Sequence, residues 1–168
     1  MKTKYISALI SAAIITFLIA SGSLAQWGSR EEDNSRLTVF AVIDNRNDET
    51  GFGAALTKST DDGGQTDITY IDFESYRLVQ ATQLSPRQFG MFTTNLGFTI
   101  AYANRNTDAT DSPDGILTGL SVTLAEKDLA FGLSLDIRAS ALSKGVDPIS
   151  WVANPDILWF GAGLSYRF

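Results

Sequence analysis

The segment that decides the fold is the last one in the sequence, Ile157-Leu-Trp-Phe-Gly-Ala-Gly-Leu-Ser-Tyr-Arg-Phe168. Its even-numbered residues are apolar or aromatic: Leu158, Phe160, Ala162, Leu164, Tyr166 and Phe168. Its odd-numbered residues are mostly small or polar: Trp159, Gly161, Gly163, Ser165 and Arg167. Because successive side chains of a strand point to opposite faces, this alternation predicts a β-strand with one apolar face. A strand with lipid on that face and aromatic residues at the water boundary has this pattern.

The spacing of Gly163, Tyr166 and Phe168 resembles the C-terminal assembly signal of bacterial outer-membrane β-barrels. In that signal a glycine is followed by aromatic or apolar residues at alternating positions, and the last is a terminal Phe. The family prefers a polar residue two places before the glycine, where this chain has Gly161. The resemblance implies an outer-membrane location and assembly by the barrel assembly machinery. The chain as a whole looks like the class of small OmpA/OmpX/OmpW-type barrels.

The beginning of the chain predicts export. Lys2 and Lys4 precede a nearly continuous apolar run from Ile6 to Ala20, and Ser23-Leu-Ala25 supplies small residues at a cleavage site. The run is shorter than the ~20 apolar residues that a membrane-spanning helix needs. The predicted organisation is a cleaved signal peptide at residues 1–25, a flexible periplasmic lead-in at 26–35 and an outer-membrane barrel at 36–168.

Composition narrows the classes of function. The chain carries 13 basic and 19 acidic residues, and loss of Lys2 and Lys4 with the signal peptide makes the balance more negative. This charge opposes nucleic-acid binding, which needs a basic surface. The chain has no Cys and no His, which removes disulfide stapling, Ser-His-Asp and Cys-His catalysis, and histidine metal sites. We expect no enzyme, no cofactor and no metal.

Alternating patterns predict an all-β fold, an eight-stranded antiparallel transmembrane β-barrel with an up-and-down meander. Seven strand segments are evident, at residues 36–44, 51–58, 66–84, 89–105, 116–125, 129–141 and 157–168. Single-chain bacterial barrels have even strand numbers, so an eighth strand comes either from residues 149–152 or from the second half of 66–84. Within 66–84 the apolar phase shifts. We favour one long strand with a bulge or an extramembrane part over a tight reversal at Glu74-Ser75, which lacks Gly, Pro and Asn. A short turn is predicted at residues 85–88.

Charged residues on inward-facing positions are the candidate site. Asp136 and Arg138 share the inner face of one strand, and a charge inside a narrow barrel must be paired. The predicted lumen network comprises Asp72, Glu74, Arg77, Arg105, Asp136 and Arg138. We interpret it as a plug, since an eight-stranded barrel has little interior room. The alternatives are a carboxylate acid/base site or a selectivity ring in a pore.

The predicted function is therefore a small outer-membrane barrel with a structural or surface-interaction role. Its expected partners are outer-membrane lipids, lipopolysaccharide and the barrel assembly machinery, and the sequence does not predict an oligomeric state. Two alternatives stay open: a narrow, ion-conducting, porin-like channel and a soluble secreted β-barrel or β-sandwich binder.

Overall fold

The computed structural model describes residues 35–59, 63–106, 112–126 and 133–168. These residues form eight strands: β1 (Ser35–Asp44), β2 (Glu49–Ser59), β3 (Gln65–Phe73), β4 (Tyr76–Phe89), β5 (Phe92–Arg105), β6 (Gly115–Glu126), β7 (Leu133–Ser143) and β8 (Ile157–Arg167). A short helix, α1 (Pro148–Ala153), lies between β7 and β8. The predicted signal peptide and the predicted lead-in lie outside the described residues, except Ser35, which begins β1.

The strands form one closed, antiparallel, up-and-down barrel, as predicted. Each strand pairs with its neighbours in sequence, and β1 pairs with β8 to close the ring. If the paired residues are followed from Ser35 at the start of β1 through each strand in turn, they lead to Leu158 on β8. The Leu158 carbonyl accepts from the N–H of Asn45, which follows the other end of β1, and not from Ser35. The strands are therefore tilted against the barrel axis, as closure of a sheet requires.

The predicted alternation sorts the side chains correctly. Phe98, Leu133 and Leu164 point outward and are 43%, 48% and 60% exposed, whereas Gly97 and Asp136 point inward. The outer wall is a band of aliphatic and aromatic side chains, and most of the inner wall is small or hydroxylated. β1 has apolar residues on both faces, and it points Phe40 and Val42 inward and Val39 and Ile43 outward.

Residues 66–84 contain two strands, so the predicted single long strand is wrong. β3 and β4 are joined by a two-residue turn at Glu74-Ser75, and Asp72 pairs with Arg77. A reversal of this length places Phe73 and Tyr76 on the same inner face, which accounts for the phase shift without a bulge. The turn has no glycine because other loops hold it: the Ser75 N–H donates to Glu49 Oε2 at 3.0 Å, and Asn106 Nδ2 donates to the Glu74 carbonyl at 2.7 Å.

Two smaller predictions also fail. Residues 85–88 lie inside β4, and the turn comes at Gly90-Met91, where Gly90 has a φ of 61°. Pro86 is tolerated in this strand because it follows Leu84, the last β4 residue that pairs with β3. Residues 149–152 belong to α1 rather than to a strand, because Asp147 caps the helix and Pro148 occupies its first turn.

No helix in the described ranges is long and apolar enough to cross a membrane.

Candidate functional site

The centre of the lumen is bridged by an ion pair between opposite walls. Arg138 extends from β7, and its Nη1 donates to Oδ1 and Oδ2 of Asp67 on β3, both at 2.8 Å. β3 and β7 are four strands apart in either direction around the ring, so this pair spans the barrel. Thr57 and Thr69 also donate to the two oxygens of Asp67, each at 2.6 Å. The bridge is therefore held from three strands.

A second carboxylate completes the charged cluster. Asp136 Oδ2 accepts from Arg138 Nη2 at 3.1 Å and lies 3.2 Å from Nη2 of Arg36 on β1. Thr38 and Ser165 donate to the same oxygen from β1 and β8. Arg36, Asp67, Asp136 and Arg138 are buried, so we call these four residues the lumen cluster. Two positive and two negative charges balance, which offsets part of the desolvation cost of each ion.

A second set of polar contacts crosses the lumen beside the cluster. Trp159 Nε1 on β8 donates to Gln80 Oε1 on β4 at 3.2 Å, and these strands are also opposite each other. Gln80 Nε2 donates to Ser140 Oγ at 3.3 Å. From Ser140 a chain of side-chain hydroxyls continues along the wall through Ser121, Thr99 and Thr82. All eight strands thus contribute a group to the bridged lumen.

Phe40 fills the space between the lumen cluster and the polar contacts of Trp159 and Gln80. Its ring stacks on Trp159 at 5.8 Å between centroids and lies 5.7 Å from Cζ of Arg138. Glycines on both neighbouring strands make room for it: a Cβ atom at Gly53 would lie 2.5 Å from the ring, and one at Gly163 would lie 2.5 Å from Phe40 Cβ. These glycines are therefore the complement of one large aromatic side chain.

The lumen is apolar toward the end that carries the β1–β2, β3–β4, β5–β6 and β7–β8 connections, which we call the loop end. Its buried side chains include Val42, Ile71, Phe73, Tyr76, Leu78, Leu117, Leu142 and Ile157. Asp44 is buried at this end and accepts from the Tyr76 hydroxyl at 2.6 Å and from the Leu158 N–H at 3.1 Å. This end is closed by packed side chains rather than by charges.

The structure separates the predicted network residues. Asp136 and Arg138 lie in the lumen cluster. Asp72 and Arg77 are bonded to each other at 3.0 Å, but both lie on the outer wall at the loop end, with side chains 33% and 56% exposed. Including them in the lumen network was wrong, because Asp72 shares the outward parity of Tyr70 on β3 and Arg77 shares that of Val79 on β4.

Two further predicted residues lie at the loop end instead of in the cluster. Glu74 is exposed in the β3–β4 turn, and only its backbone carbonyl takes part in a described contact. Arg105 ends β5, where its N–H approaches Asp114 Oδ1 at 3.4 Å. Both sit where strands end, so their side chains are remote from Arg138.

Sequence reasoning missed Asp67 and Arg36. Asp67 alternates along β3 with Thr69 and Ile71, which also face the lumen. This alternation is the sequence signal that could have identified Asp67 as an inward-facing residue. It was hidden by the mixed phase of residues 66–84. Arg36 begins β1 on the inner parity of Thr38 and Phe40. Neither residue lies near Arg138 in sequence, since the contacts form across the ring.

The residues of the predicted assembly signal occupy the end of β8. Gly163 faces inward against Phe40, Tyr166 faces outward and is 37% exposed, and Phe168 follows the last strand residue. Gly163 thus has a packing role in addition to any role in assembly.

The lumen cluster leaves little free space. The void that Asp67, Gln80 and Arg138 line has room for about one water molecule. Among the described residues, no group of three or more His, Cys, Asp and Glu side chains is arranged to hold a metal ion. The ion pairs and hydrogen bonds of this arrangement hold one wall of the barrel to the opposite wall.

No family model and no curated protein matches the chain. Solved structures do match it. A designed transmembrane β-barrel superposes with a TM-score of 0.58 at 9% identity, over 83% of this chain and 98% of that chain. The fold is that of a transmembrane β-barrel. The outer membrane protein Ail of Yersinia pestis, solved in a phospholipid bilayer nanodisc, superposes with a TM-score of 0.54 at 9% identity, over 82% of this chain and all of Ail. At this identity the likeness concerns the fold.

Proposed function

We propose that the protein is a small outer-membrane β-barrel with a structural or surface-interaction role, and that the lumen cluster seals it. The observation that carries the proposal is the Arg138–Asp67 bridge between opposite walls, inside a ring whose outer wall is apolar. A closed barrel satisfies its backbone hydrogen bonds internally, as a bilayer requires. The fold shared with Ail, an outer-membrane protein, supports the location.

Contacts outside the membrane would be made at the loop end. Transmembrane barrels have short periplasmic turns and longer extracellular loops, and the longest connection here, between β7 and β8, is at this end. The partners proposed are membrane lipids, lipopolysaccharide and the barrel assembly machinery. The net charge of −6 means that contact with anionic lipopolysaccharide would need bridging divalent cations.

Cell fractionation tests the location and the fold together. We expect the protein in the outer-membrane fraction, with a gel mobility that changes on heating because the closed barrel resists dodecyl sulfate until it is boiled. A protein recovered from the periplasm without detergent would support the soluble-binder alternative instead.

Conductance tests the seal. In planar bilayers we expect the purified, folded protein to conduct no steady current, because two polar bridges cross the lumen and the void beside Arg138 has room for only about one water. Heat-modifiable mobility of the same sample is the control for folding. A reproducible channel current from the folded protein would contradict the seal and would favour the pore alternative.

Deletion of Phe168 tests the proposed assembly route. We expect the shortened chain to reach the outer membrane at a much lower level, because the last residues resemble the assembly signal. The purified chain, refolded from urea into lipid vesicles, should keep its free energy of unfolding. Normal outer-membrane levels of the shortened chain would count against this route.

A further inference from the structure

The β7–β8 connection folds down onto the outside of the barrel. Trp151 of α1 is buried to 6% exposure, and its ring lies 5.5 Å from the ring of Phe98 on the outer wall of β5. Its Nε1 donates to the Gly145 carbonyl at 3.2 Å, and that carbonyl also accepts from the Thr118 hydroxyl of β6. The connection is therefore fixed to the face of the barrel that the fold turns to lipid.

The outer wall is shaped to receive this segment. In the first half of β7 the outward residues are Leu133, Leu135 and Ile137, but in the last half they are Ala139, Ala141 and Ser143. Ser143 is buried, and its hydroxyl lies 3.4 Å from that of Ser150 in α1. Along β7, small side chains replace large ones toward the end where the helix lies, so this strand and the helix are complementary.

The opposite side of this segment is apolar and uncovered. Val146, Ile149 and Val152 are 77%, 74% and 73% exposed, which is more than most residues of the outer band. Pro148 and Ala153 are exposed as well. In a loop surrounded by water, a contiguous patch of exposed aliphatic side chains on a helix whose Trp is already buried would be unfavourable.

Several backbone N–H groups of the segment are bonded within the protein. The Ile149 N–H donates to Asp147 Oδ1, the Asn154 N–H to the Ser150 carbonyl and the Asp156 N–H to the Leu142 carbonyl. Lys144 N–H donates to Asp156 Oδ2 at 2.7 Å. Backbone polar groups near hydrocarbon must form their hydrogen bonds within the protein, because no water is available there.

We propose that α1 and Val146 form a lipid-contacting anchor, in which Val146, Ile149 and Val152 lie among the acyl chains of the leaflet at the loop end. The surface continues the lipid-facing band through the Trp151–Phe98 contact, which is why acyl chains are the occupant. The exposed Lys144 and Asp147 beside it would then lie at headgroup level. The inference rests on the proposed function, because it needs a bilayer around the barrel.

The test uses single cysteines in a chain that has none of its own. Ile149→Cys and Val152→Cys are labelled with the fluorophore NBD and reconstituted in phosphatidylcholine vesicles with or without brominated acyl chains. Phe160→Cys, on the outer wall of β8, is the lipid-facing control, and Glu74→Cys, exposed in the β3–β4 turn, is the water-facing control.

We expect brominated lipid to quench the labels at 149 and 152 at least half as strongly as the label at 160, with blue-shifted emission, and to leave the label at 74 unchanged. Labels at 149 and 152 that behave like the label at 74 would overturn the anchor while the barrel stays in the bilayer. Blue-shifted labels without quenching, with disulfide-linked dimers of the unlabelled variants, would overturn it in favour of a second copy. An unquenched label at 160 would instead contradict the proposed function.

Discussion

Replacing Arg138 with Met lowers the free energy of unfolding of the barrel by about 3–5 kcal/mol, because it leaves two buried carboxylates without their shared cation. Asp67 loses both charge-assisted bonds from Nη1, and Arg36 is then the cationic partner that Asp136 keeps among the described residues. The measurement is equilibrium unfolding by urea in lipid vesicles, followed by tryptophan fluorescence and by gel mobility. Met preserves most of the length of the side chain, so lost packing contributes little.

The matched control is an ion pair that lies outside the lumen cluster. Arg77→Met breaks the pair with Asp72 on the exposed outer wall, and we expect a much smaller change in the free energy of unfolding than for Arg138→Met, because water screens this pair. The double variant Asp67→Asn with Arg138→Met should recover part of the loss, since one uncompensated charge is removed. If Arg138→Met and Arg77→Met lower the free energy of unfolding equally, the lumen cluster does not hold the walls together.

Replacing Gly163 with Val lowers the free energy of unfolding by about 1–3 kcal/mol through overpacking. A Cβ atom at this position would lie 2.0 Å from the carbonyl oxygen of Val39 and 2.5 Å from Phe40 Cβ. Because Gly163 pairs with Phe40 across the β1–β8 seam, relief requires the closing strands to move apart or Phe40 to leave its place. The experiment is refolding from urea into vesicles, without any assembly machinery.

The neighbouring variant Ala162→Val is the control. Ala162 points outward from the same strand, so the added methyl groups meet lipid, and we expect a change within about 0.5 kcal/mol. If Gly163→Val refolds with unchanged stability but fails to reach the outer membrane in cells, the glycine serves assembly alone and the packing explanation is wrong.

Alternation predicted the barrel because it is a local property of each strand. The outward set of β5 and β8 could be identified without knowing any partner. The lumen cluster could be predicted only in part. Arg138 had to have an anionic partner, but Asp67 lies on the opposite wall, and nothing local indicates which inward residue stands across a closed ring.

The remaining errors have the same origin in tertiary contacts. The Glu74-Ser75 turn is held by Glu49 and Asn106, which are remote in sequence, so turn propensity gave no signal. The helix α1 did carry a local signal in Asp147-Pro148, an N-cap followed by a proline. Its docking site on the outer wall, by contrast, depends on the small residues of β7.

The most direct test of the central claim is a scan of solvation along β5 in the bilayer. Nitroxide labels placed singly at Leu96, Ile100 and Tyr102 should be accessible to oxygen dissolved in the membrane and protected from a water-soluble nickel complex. Cysteines at Thr99 and Ala101, whose side chains face the sealed lumen, should not react with the nitroxide reagent in the folded protein. High accessibility to the nickel complex at Leu96, Ile100 and Tyr102, or no alternation between the two sets, would contradict a barrel with lipid outside and a closed interior.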